Sequence, residues 1–185
     1  MNEAFFTELE KEMDRTVAAL RKDLAKLRTG RASTALLEDV VVDYYGNPVP
    51  LHQLANLTAP EPRLLVIQPY DPGAMANIEK AIFKAGLGLT PSNDGKLIRI
   101  PIPDLTEERR RELVKHIKKM AEEFRVSLRN HRRLALEKLK EMEKKKEITE
   151  DSLKHGQERV QKVTDNFIAR IDQVLKAKEK EIMEV

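Results

Sequence analysis

Phe6, Leu9, Met13, Val17, Leu20, Leu24 and Leu27 recur at spacings of three and four, while Lys11, Arg15, Lys22 and Lys26 fall on the opposite side. That alternation predicts an amphipathic helix with a narrow apolar stripe. Thr29-Gly30 ends it, because glycine takes the left-handed conformation that stops a helix. The helical period returns at Thr106. Leu113, Ile117, Met120, Phe124, Leu128, Ala135, Leu139 and Met142 form one seam running to about Glu147, a rod of roughly 60 Å at 1.5 Å per residue. Thr106 is placed to cap it, with Glu107 and Glu108 at the positive end of the dipole. After Ile148-Thr149 a third helix begins, with Leu153, Val160, Val163, Phe167, Ile171 and Val174 inward.

Between these helices the pattern changes. All nine prolines lie from Pro48 to Pro103. Val40, Val41, Val42, Tyr44 and Tyr45 are strand formers, and Gly46-Asn47-Pro48 turns the chain. Leu64, Leu65, Val66 and Ile67 form a continuous apolar run, which predicts a strand buried on both faces. Asp71-Pro72 reads as a cap followed by proline at the first helical position. Ile78, Ile82 and Phe83 are expected to face inward from that short helix, which Gly86 ends. Asn93-Asp94-Gly95 is a hairpin signal, and Leu97, Ile98, Ile100 and Ile102 make a last strand.

Three singly striped helices are not stable alone. Their simplest burial is an antiparallel three-helix bundle built from residues 1–30 and 105–185, with residues 31–104 inserted as a small α+β, sandwich-like domain. The fold class is therefore α+β. Thr29-Gly30-Arg31-Ala32 leads out of the bundle and Pro101-Ile102-Pro103-Asp104 leads back, so 29–32 and 101–104 are the expected hinges. Relative motion of such parts is the default expectation.

Composition narrows the class. Charged residues make up 35% and aromatics only 4%, with no cysteine, which suits long helices and excludes disulfides and thiolate metal sites. No apolar run reaches the ~20 residues needed to cross a bilayer. Met1-Asn2-Glu3 is acidic, so no signal peptide is expected and the predicted location is cytoplasmic. Residues 105–147 carry 15 Lys plus Arg against 9 Asp plus Glu, a net of +6, while residues 34–103 carry 5 against 7. At 100° per residue Arg111, Lys115, Lys118, Arg125, Arg129, Arg132 and Arg133 share one exposed sector that Lys140 continues. Glu112, Glu123, Glu137 and Glu141 lie on another flank. Like charges four residues apart, such as Arg125 and Arg129, repel, so an external counter-charge is expected. Phosphate fits best, since the guanidinium fork matches its oxygens. Leu136 also points into this sector without an evident core role.

Other chemistry is missing. The chain has no Walker loop, no His-Glu-x-x-His and no nucleophile elbow. Gly86-Leu87-Gly88 reads as a helix end. His52, His116, His131 and His155 have no ligand spacing, and His131 is expected to pack near the seam. Asp39 and Asp43 read as surface acids, Tyr44 and Tyr45 as strand packing. No enzyme, cofactor or metal is expected. An oligomerising coiled-coil adaptor is the competing structural reading, and an enzyme sited in the inserted domain a remoter one.

The segment Leu27-Arg28-Thr29-Gly30-Arg31-Ala32 resembles the hinge motif of ribosome recycling factors. Tyr45-Gly46, Ile67-Gln68-Pro69-Tyr70-Asp71, Ala81-Ile82, Asn93-Asp94-Gly95 and Leu105-Thr106-Glu107-Glu108-Arg109 match that family as well. Arg129-Asn130-His131-Arg132-Arg133 matches its signature and falls inside the basic stripe. The resemblance covers the whole chain. It implies a monomeric, L-shaped protein that acts on the post-termination ribosome with elongation factor G and GTP, the elongation factor doing the hydrolysis. It further implies binding to large-subunit ribosomal RNA through the bundle, with Arg132 the most critical residue and Arg129, Arg133, Arg28 and Arg31 as further contacts. Arg125 joins them from the charge pattern.

Overall fold

The structure is a computed structural model that describes residues 3–184; the outermost residues of the expected bundle segments, 1, 2 and 185, lie outside it. Two compact units emerge, residues 3–24 with 111–184, and residues 25–110.

The first unit is made by three helices, α1 (Glu3–Ala25), the greater part of α4 (Glu107–Lys144) and α5 (Glu150–Glu184). Their stripes meet as the spacing predicts. Phe6, Met13, Val17 and Leu20 of α1, Ile117 and Leu128 of α4, and Val160 and Ile171 of α5 are all buried. Cross-helix pairs set the directions. Arg159 forks onto Glu3 at 2.7 and 2.8 Å and Arg170 reaches Asp14, so α1 and α5 run parallel. His131 touches Glu12 and Thr16, and Arg125 and Lys118 pair with Asp172 and Glu179, so α4 is antiparallel to both. His131 is thus half-buried against α1, near the seam as expected. Two buried positions escape a hydrophobic reading. Gly156 lies in the α5 stripe, and so does Thr164, whose hydroxyl donates to the Val160 carbonyl and so brings its own hydrogen-bond partner into the core.

The second unit carries two antiparallel sheets. β1 (Val41–Tyr44) pairs with β2 (Asn47–Pro50), and a four-stranded sheet runs β3 (Ala55–Glu61), β4 (Leu64–Pro69), β6 (Ile98–Pro101) and β5 (Ser92–Asn93). Two helices complete it, the single turn α2 (Leu51–Leu54) and α3 (Met75–Lys84). Leu37, Val42, Leu51, Leu65, Ile67, Ile78, Ile82, Ile98 and Ile100 form its core. Asp71 caps the turn before α3 as expected, its Oδ1 accepting from the Gly73 amide at 2.8 Å.

Several expectations change. α1 ends at Ala25, short of Thr29-Gly30, so Leu27 of the expected stripe lies beyond the helix. β4 alternates rather than being buried on both faces: Leu65 and Ile67 are buried, while Leu64 and Val66 are half-buried, because no layer fully covers the second face. Phe83 is 59% exposed; Met75, Ile78 and Ile82 fill the inner face of α3, and Phe83 is a further 100° round. Tyr45 is not strand packing. It occupies the β1–β2 turn at φ +49, 76% exposed, with its hydroxyl on Asp71. Among the described residues no helix is long and apolar enough to cross a membrane.

Candidate nucleic-acid interface

The face in question is the outer side of α4. Thr106 starts the helix by accepting the Arg109 amide at 3.1 Å, with Glu107 and Glu108 in the first turn. Thirty-eight residues follow without interruption, about 57 Å of rod. The seam residues Leu113, Ile117, Ala121, Leu128, Ala135 and Leu139 fix which side faces the bundle, and the arginines are thereby turned outward.

Their guanidiniums are not equivalent. Arg125 is well sequestered, its side chain only 18% exposed. Its Nε and Nη2 both donate to Asp172 Oδ1 of α5, at 3.0 and 2.6 Å, and its Nη1 donates to Glu122 at 3.1 Å. Partial burial opposes the charge on Arg125, but these two carboxylates outweigh it and hold the proton more firmly than usual. Arg129 donates to the other oxygen of Glu122 at 3.0 Å. Arg133 is held by Glu137 and Asn130, both at 2.8 Å. Arg132 differs: it is half-buried, and no residue among those described forms a hydrogen bond or ion pair with it. Val126, Leu136 and Lys140 join Arg129, Arg132 and Arg133 in lining one shallow depression on this face. Leu136, which lacks a role in the core, has its place here beside the exposed Val126.

The sorting of charge is less complete than the sequence suggests. Glu122 lies seven residues before Arg129, almost two turns, and so stands within the basic stripe. Arg129 and Arg125 hold its carboxyl below the ordinary carboxylate range. The repulsion expected between Arg125 and Arg129 is relieved inside the protein by Glu122 and Asp172, not left wholly to an outside anion. Asp172 could not be found from α4 alone; Glu122 could, from the same angular count that located the arginines.

The expected hinge residues belong to the second unit. Gly30 has φ +83, which favours glycine, and Thr29 beside it is buried. Arg28 donates to the Leu87 carbonyl at 3.3 Å and packs so close to Gly88 that a Cβ there would meet its Nη1 at 2.8 Å. Arg31 is exposed, with no partner among the described residues. Ala32 and Ile102 are both fastened to the β3–β4 turn: the Ala32 amide donates to Pro62 at 2.7 Å and the Ile102 amide to Arg63 at 2.9 Å. Arg63 in turn pairs with Asp104 at 2.6 Å, an anchor that no motif announces. Pro101 ends β6, Ile102 is in the core and Pro103 is exposed.

Nothing else gathers chemistry. Among the described residues no group of His, Asp and Glu is placed to hold a metal ion. The Tyr44 and Tyr45 hydroxyls meet on Asp71 Oδ2, at 2.9 and 3.3 Å, a link between the β1–β2 turn and the start of α3. Asp39 pairs with Lys26, and Asp43 accepts from the Gly46 amide in its turn.

The chain is similar to known proteins over its whole length. A family profile described as ribosome recycling factor matches residues 20–183. The ribosome-recycling factor of Desulfosudis oleivorans is 56% identical over 185 residues, all of both chains. That of Syntrophomonas wolfei is 58% identical over 179 residues, 97% of each. A solution structure of a ribosome recycling factor superposes with a TM-score of 0.77 at 48% identity, covering 99% of this chain and 97% of its own. A second similar chain comes from models of the T. thermophilus ribosome recycling factor and the E. coli elongation factor G bound to the E. coli post-termination complex, with a TM-score of 0.67, 48% identity and 97% coverage of each. With the family profile spanning most of its length and relatives matching from end to end, this chain belongs to the ribosome recycling factor family.

Proposed function

We propose that this protein, a translation factor without catalytic chemistry of its own, separates the subunits of the post-termination ribosome together with elongation factor G and GTP. In this reading α4 lies on large-subunit ribosomal RNA. The observation that carries it is Arg132: a half-buried arginine, committed to no carboxylate among the described residues, beside Arg129, Arg133 and Lys140. A cation so placed reaches a phosphate without first breaking an internal pair, and its fork suits two phosphate oxygens at once. Val126 and Leu136 add apolar surface against which a ribose or base edge packs. The lack of aromatics on this face favours a folded, backbone-presenting RNA over unstacked single strands.

Arg129 and Arg133 contribute after exchanging partners. Arg125 contributes chiefly by tying α4 to α5. Arg31 is available for contact, whereas Arg28 is engaged with the loop at Leu87 and Gly88. Bending between the bundle and the inserted domain falls to Thr29, Gly30, Arg31 and Pro103. Ala32, Pro101 and Ile102 form the fixed side of that joint, stapled to the turn at Pro62 and Arg63. The elongation factor supplies GTP hydrolysis, and the rod of α4 passes on the displacement.

Sedimentation of post-termination ribosomes with this protein, elongation factor G and GTP tests the proposal, scoring free subunits. The parent chain is expected to release subunits, and Arg132→Glu to release none while keeping its helical circular dichroism. Full splitting by the variant would remove α4 as the anchor.

A further inference from the structure

We propose that Glu122 is a counter-charge built into the phosphate-binding face of α4, which weakens the grip on RNA by competing for Arg129 and Arg125. The inference rests on the reading that this face meets ribosomal RNA, and it goes beyond that reading by assigning a role to an acid.

Among the described residues Glu122 bonds two of the stripe's arginines, Oε1 taking Arg129 and Oε2 taking Arg125. Of those two, Arg129 has no other partner among the described residues, while Arg125 keeps two N–H bonds to Asp172 whatever Glu122 does. Removing the carboxylate therefore frees Arg129 entirely and leaves Arg125 fastened. A helix-stabilising role explains the placement poorly. Glu122 is 52% exposed and Arg129 45%, and ion pairs this open to water add little to stability. Toward an incoming phosphate the same carboxylate acts twice, repelling it and occupying the guanidinium it needs.

Such a charge suits a factor that must leave after each round. Phosphate contacts accumulate, and each one steepens the dependence of affinity on salt. A face with all of its arginines uncommitted would bind RNA broadly and slowly let go. With Glu122 present, Arg132 meets phosphate at once, while Arg129 joins only where the RNA places a phosphate close enough to displace the acid. Glu122 thereby sets both the tightness and the selectivity of docking.

The test measures equilibrium binding to isolated large ribosomal subunits across a salt series. Glu122→Gln is expected to tighten binding about two- to fivefold, the range of one exposed ion pair. It is also expected to steepen the plot of log affinity against log salt by about 0.7–0.9, one added phosphate. Glu123→Gln, an equal change in net charge off the stripe, is expected to leave that slope alone. Glu122→Gln with Arg129→Gln is expected to lose the gain. Unchanged or weaker binding by Glu122→Gln overturns the proposal, and so does an equal gain from Glu123→Gln. Arg132→Glu, measured alongside, separates the two claims. If it binds as well as the parent, the RNA face itself is wrong; if it binds poorly and Glu122→Gln does not tighten, only the counter-charge is.

Discussion

Four arginines within nine positions of one helix carry the same formal charge and four different availabilities. Arg125 is bound to two carboxylates on two helices, Arg129 shares one of them, Arg133 has a carboxylate and an amide, and Arg132 has none among the described residues. The ordering follows from position around the helix. Arg125 is turned toward α5 and finds Asp172. Arg132 lies seven residues on, at nearly the same angle, but Asp165, seven residues before Asp172 on α5, accepts from Gln161 and makes no bond to it. Local partners also give Asp71 a pH-dependent contribution to stability. The Gly73 amide, then the Tyr44 hydroxyl, hold its carboxyl below the ordinary value, which is about 3.9. A lowered folded-state value means that Asp71 adds stability at neutral pH and that this contribution is lost as pH falls through the folded-state value. The parent is therefore expected to be more stable to urea than Asp71→Asn near neutral pH, with the gap closing as pH falls below the ordinary carboxylate value of about 3.9. An undiminished gap in acid would show that Asp71 acts by shape and not by charge. Tyr44 reports the other end of the bond: Asp71 pushes its hydroxyl ionisation upward.

At the scale of elements, the long helices are decided by apolar spacing, and the α4–α5 connection by backbone geometry. Glu147 donates its amide back to Met142 at 2.9 Å, closing the helix end, and this forces Lys146 to φ +62. A side chain in the left-handed region costs about 1–2 kcal/mol that glycine avoids, less the entropy glycine loses. Lys146→Gly is thus expected to raise stability by roughly 0.5–1 kcal/mol, read as a shifted urea midpoint at constant slope. A destabilised variant would mean the Lys146 side chain holds the loop.

Much of this architecture is legible in the residues. Leu9, Met13, Val17 and Leu20 announce α1, Asp71-Pro72 announces the start of α3, and Asn93-Asp94-Gly95 marks a turn in which Asp94 accepts the Lys96 and Leu97 amides and binds Arg99. What stayed hidden depends on neighbours distant in sequence. The edge strand β3, with Thr58, Ala59 and Pro60 exposed, shows little apolar alternation. Phe83 is apolar yet outside, because three other side chains already fill the inner face of α3. Of the interface, the arginines were visible by angular count. Their commitments were not, because Asp172 is 47 residues away from Arg125 and nothing in α4 indicates which residues of α5 oppose it.

Over the whole molecule, positive charge is concentrated where the longest rigid element lies. The chain carries a net +3, yet α4 holds far more than its share, and residues 34–103 are slightly acidic. Such asymmetry steers a polyanion to one surface. It also makes the binding energy a matter of counter-ions released, so salt is the natural variable. The most direct measurement is the affinity of the parent and of Arg132→Gln for isolated large ribosomal subunits across a salt series. The account predicts a steep linear fall of log affinity with log salt for the parent, and a slope shallower by about 0.7–0.9 when Arg132 is lost. A parent affinity indifferent to salt, or a slope untouched by Arg132→Gln in a fully folded variant, would contradict it.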